Sequence, residues 1–164
     1  MIAPLVIAIL GVALYGQLRG QAIPWGFVGV VIAVSAALVW CFVGIGIAIS
    51  VLVRNQARAI TYVILTWGLA VALLDAGLIG LMLTWRMDAH AVFTLAALNP
   101  VEDARLALLS SLEPDLGTLG PVGFYLSTRI GQGSLLLLGI AWPVALGTLS
   151  WLGALLAFQR RDIT

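Results

Sequence analysis

Residues 59–85 read AITYVILTWGLAVALLDAGLIGLMLTW, an apolar run with one carboxylate, Asp75, near its middle. About 20 apolar residues cross the hydrocarbon core of a bilayer, and this run is longer than that. It therefore predicts a membrane span. A carboxylate at such depth costs about 2.5–3.5 kcal/mol on insertion scales, so it faces other protein or a water-filled cavity. Two roles follow for Asp75. It lines a passage or coupling element, or it is kept neutral or hydrogen-bonded by a neighbouring helix.

The rest of the chain agrees in kind. Its 164 residues are 62% hydrophobic and 9% charged, against about 45–50% and 25% in soluble domains. Mean hydropathy is +1.13. These values predict a single all-α, polytopic membrane domain. A net charge of +1 gives no basis for binding nucleic acid. All eight basic residues are arginine, which reflects composition rather than function.

Three more apolar segments, 2–16, 25–53 and 134–158, flank the central one. The first is short for a span and lacks the basic n-region and cleavage pattern of a signal peptide. The reading is three to four transmembrane helices, with an outer region at 86–133 holding two short extracytoplasmic or re-entrant helices. Arg54 and Arg58 bracket the turn between the second and third segments, and Arg160 and Arg161 follow the fourth. Basic loops stay in the cytoplasm, so both sites are predicted cytoplasmic, with 17–24 and 86–133 outside. Trp25, Trp85 and Trp151 are placed as interfacial anchors.

Gly29, Ala33, Ala37 and Cys41 recur every four residues and predict a close helix–helix seam, within the chain or across a dimer. Gly139 and Gly147 share a face of the last segment, which Pro143 should kink. Cys41, alone of its kind, reads as a small buried residue at such a seam.

In the outer region Asn99, Pro100 and Glu102 form a helix start: N-cap, first position, third position. Val101, Leu108, Leu109 and Leu112 are expected on one face, with Glu102, Asp103 and Arg105 on another. A second short element follows Gly120 and Pro121 and runs through Phe124 and Tyr125 to Arg129. Both helices read as dipping into the outer leaflet or as a solvated cap.

Catalysis is not expected. The single histidine, His90, has no nucleophile partner in sequence, and no phosphate-binding loop ends in lysine. Met82, Met87 and His90 offer soft donors suited to Cu(I), yet methionines at a helix end more often fill gaps and a lone loop histidine is ordinary polar surface.

Taken together, the segments resemble the C-terminal portion of an ABC-2 type exporter permease. More narrowly, residues 98–106 (LNPVEDARL) and 119–121 (LGP), the turn at 53–59 and the stretch around Asp75 resemble the NosY-type permeases, which serve maturation of the copper sites of nitrous oxide reductase. The resemblance covers nearly the whole chain. It implies a permease homodimer in a bacterial cytoplasmic membrane. Separate ABC ATPase subunits would use ATP, a periplasmic maturation protein would meet residues 99–121, and the chain itself would bind no cofactor. The family's two earlier spans and cytoplasmic coupling helix have no counterpart in residues 1–164. The chain is thus expected to be a partial permease, uncoupled on its own. A non-transporting membrane anchor for a periplasmic assembly factor is the alternative.

Overall fold

The computed structural model describes residues 2–53, 55–73, 98–112 and 131–161, and all regular structure among them is helical. The helices are α1 (Ile2–Leu18), α2 (Trp25–Leu52), α3 (Gln56–Gly68), α4 (Pro100–Leu112) and α5 (Gln132–Arg161). Five residues of π-helix, Leu69–Leu73, continue α3.

Local chemistry sets the breaks. α1 ends where Gly20 takes a φ of +75°, with Gly20 N–H donating to Gln17 O and Gln21 N–H to Gly16 O. That paired closure satisfies the last carbonyls and needs a residue tolerant of positive φ. Pro24 precedes α2, whose first turn has no use for the proline's missing N–H. Extended backbone at Val53 and Asn55 then reverses the chain. The Asn55 side chain caps α3 by accepting from Ala57 N–H at 2.9 Å and Arg58 N–H at 3.3 Å.

Two helices, Trp25–Leu52 and Gly133–Arg160, are long and apolar enough to cross a membrane. Only 22% of the most apolar stretch of each is buried against protein. A core helix of a soluble protein would be mostly covered, so these surfaces call for a lipid environment. Apart from Val34 and Leu135, the buried apolar residues are small: Ala13, Ala37, Cys41, Ala59, Ala104, Ala107 and Ala154, while Leu137, Leu149, Leu152 and Leu155 are exposed. Helices meeting in lipid gain little from burying leucine and more from close backbone approach.

The main seam joins α2 to α5. On α2 it uses Val34, Ala37, Cys41 and Gly44. On α5 it uses Gly147, Thr148 and Trp151. A Cβ on Gly147 would lie 2.6 Å from Trp40 Cδ1 and 2.9 Å from Cys41 Cα. One on Gly44 would lie 2.6 Å from Gly147 O and 2.8 Å from Trp151 Cδ1. Trp40 stacks on Trp151 at 5.5 Å and donates from Nε1 to Thr148 Oγ1 at 3.3 Å. Later residues of α2 thus meet later residues of α5, so the two helices run parallel. The chain must therefore return between them, and α3 begins that return from the end of α2.

The predicted four-residue stripe is only half used inside the chain. Ala37 and Cys41 are buried in the seam, whereas Gly29 and Ala33 are exposed. Each four-residue step drifts about 40° around a helix of 3.6 residues per turn, so three steps carry Gly29 about 120° from Cys41. The observed stripe alternates steps of three and four and stays on one line. Trp151, in the second half of α5, packs over Gly44 and Trp40. α5 is continuous through the buried Pro143.

Candidate functional site: the acidic helix held against α2 and α5

α4 has thirteen residues, too few to cross a bilayer. It packs on the first third of α5 and on Val30, Val34 and Leu38 of α2. Its N-terminus is tied at three points. Asn99, 1% exposed, accepts from Val101 N–H at Oδ1 (3.1 Å), and its carbonyl accepts from Asp103 N–H. Its Nδ2 donates to Ala70 O in the π segment at 2.7 Å. Trp142 of α5 donates from Nε1 to Leu98 O at 3.4 Å. The third tie is steric: a Cβ on Gly139 would collide with Ala107 Cβ and lie 2.7 Å from Asp103 O.

The face that α4 turns inward is built of acidic and small residues, not of leucines. Glu102, Asp103, Ala104, Ala107 and Ser110 are buried, while Arg105 and Leu112 are exposed and Val101, Leu108 and Leu109 are half-buried. Close approach to Gly139 selects alanine and serine for the contact, and the acidic residues at the start of the helix are carried in with them. Ser110 satisfies its hydroxyl locally by donating to Ala107 O at 2.9 Å. Glu102 accepts from Arg105 Nη1 at 3.2 Å.

Asp103 is different. It is 3% exposed, and its Oδ2 has no hydrogen-bond partner. Burial, and secondarily the neighbouring Glu102 carboxylate, push its carboxyl up to about 7. A carboxyl in that state exchanges a proton near neutrality.

The remaining sequence candidates fall into two groups. Arg58 is exposed in the first turn of α3. Asp75, Met82, Met87, His90, Arg54, Gly120 and Pro121 lie outside the described residues. No group of three or more His, Cys, Asp or Glu side chains suited to a metal occurs among the described residues. Sequence reasoning did not find the π segment, the Asn55 cap or the Asn99–Ala70 bond. Asn55, directly before an apolar periodic run, carried the signal for the cap.

No protein-family model, curated protein or solved structure matches the chain.

Proposed function

We propose that the chain is a membrane-spanning permease subunit of an ABC-2 type exporter, in the branch that serves the copper sites of nitrous oxide reductase. One observation carries this reading. α2 and α5 run parallel, α3 starts the return between them, and the short helix α4 is wedged against the first half of α5. A span, a return, short outer helices and a final span is the order the resemblance implies.

In this reading the apolar run 59–85 is the return span and Asp75 lines the working interior. The ends of α2 and α5, with Arg58 and Arg160, face the cytoplasm and the ATPase subunits. α4 lies at the outer side, within reach of a periplasmic maturation protein. Gly29 and Ala33, exposed on α2, are available for close contact with a second permease copy. The protein is multi-pass and resides in the bacterial cytoplasmic membrane. Hydrolysis of ATP belongs to the partner, and this chain carries no catalytic group of its own.

The test is loss of function in the parent organism. A strain lacking the chain should assemble nitrous oxide reductase without its full copper complement, and Asp75→Asn should reproduce that defect while the protein still inserts. Full copper loading in the deletion strain overturns the narrower reading. Normal activity of both Asp75→Asn and Asp75→Leu favours a non-transporting anchor.

A further inference from the structure

Asp103 sits where a carboxylate is least welcome. Its residue is 3% exposed, Oδ2 touches no donor, and its backbone is pressed against Gly139 so closely that no Cβ fits between them. The backbone N–H of Asp103 is already committed to Asn99 O, and so cannot turn to solvate its own side chain. A proton is the ligand that such a site accommodates, because it removes the charge and adds no volume.

The charged surroundings sharpen the point. On α4, Glu102 is one residue away and pairs with Arg105. α2 contributes a single titratable side chain, Cys41, which packs against Gly147 rather than Gly139. The charges of α5, Arg160 and Arg161, lie 21 and 22 residues beyond Gly139, at the other end of the helix. The π segment has none. Among the described residues nothing therefore offsets a negative charge on Asp103. Tightly packed contacts of this kind switch between arrangements and do not deform continuously.

We propose that Asp103 is a proton-binding latch: α4 is held on α5 and α2 while the carboxyl carries its proton, and the contact loosens when the proton leaves. The inference does not depend on transport. The sign follows from the raised carboxyl, at about 7 in place against 3.8 when free. Below the free value both states are protonated and the latch is fully closed. As pH rises the free state loses its proton first, so the contact weakens progressively and reaches its weakest above the docked value.

Thiol accessibility in the full chain tests this directly, in lipid nanodiscs and in a Cys41→Ala background. Ser110→Cys places a reporter on the buried face of α4, and Leu112→Cys places one on the exposed face of the same helix. The ratio of their alkylation rates cancels thiol ionisation. It should rise roughly tenfold or more between about pH 5 and about pH 8.5. Asp103→Asn should hold the ratio low and flat. Glu102→Gln should move the midpoint to lower pH by removing a like charge. A flat ratio in the parent overturns the proposal whatever the variants do. So does an unchanged profile in Asp103→Asn, or a Glu102→Gln midpoint that stays put or rises.

Discussion

The Asn99 side chain donates to the carbonyl oxygen of Ala70 at 2.7 Å while capping its own helix through Val101 N–H. One carboxamide thus joins the start of α4 to the π segment that continues α3. The accepting carbonyl belongs to the π segment, the widened turn that follows α3. The contact links the acidic helix to the stretch leading toward Asp75.

Asn99→Ala should lose both the cap and the bridge. The cap is worth about 0.5–2 kcal/mol, and the buried hydrogen bond about 1 kcal/mol. Asn99→Ser keeps a capping oxygen but cannot reach Ala70, so its loss should be smaller. Amide hydrogen exchange across residues 100–112 distinguishes the three proteins, with protection falling in the order parent, Ser, Ala. Equal protection in all three would show that Asn99 holds nothing.

Gly139→Ala should push α4 off α5, because the added carbon meets Ala107 Cβ and Asp103 O. Overpacking of this kind costs about 1–3 kcal/mol. Gly153→Ala is the control, since a Cβ there meets nothing within 4 Å. In that open helical position alanine should be neutral or stabilising by up to about 1 kcal/mol. Unfolding in mixed detergent, followed by tryptophan fluorescence, reads the difference.

Gly147→Ala should damage the α2–α5 seam independently of α4. Its Cβ would enter the space of Trp40 and the Cys41 backbone, again at a cost of about 1–3 kcal/mol. Trp40 should then leave its stack on Trp151, so near-ultraviolet circular dichroism should lose amplitude. An unaltered aromatic spectrum would contradict the seam.

How much of this was legible in the sequence depends on which force decides each element. Length and apolarity set the two long helices, and those are properties of composition. Asn99 and Pro100 announced the start of α4 because capping is a local matter. The inward face of α4 was not legible from its leucines, which mark the buried side only in water. Here lipid covers leucine, and Gly139 draws alanine and serine inward instead. The stripe on α2 was half right for a similar reason: small residues mark close contacts, yet only a three–four alternation keeps them on one line. Asp103 was legible as an acid. Its burial depends on Gly139, 36 residues further on, and no local pattern reports that distance.

The span assigned to α2 makes a topological prediction. Cysteines at Gln21 and Gln56, both exposed, should be labelled from opposite sides of intact cells in a Cys41→Ala background. Position 56, beside Arg58, should react only with reagents that reach the cytoplasm. Labelling of both from one side would break the span assignment of α2.

The most direct test of the permease account is isolation of the full chain from its own membrane in a mild detergent. The account predicts a stoichiometric complex with an ABC ATPase subunit, whose ATP hydrolysis changes when Asp75→Asn replaces the parent chain. A chain that purifies without any nucleotide-hydrolysing partner, while still supporting its cellular role, would contradict the account.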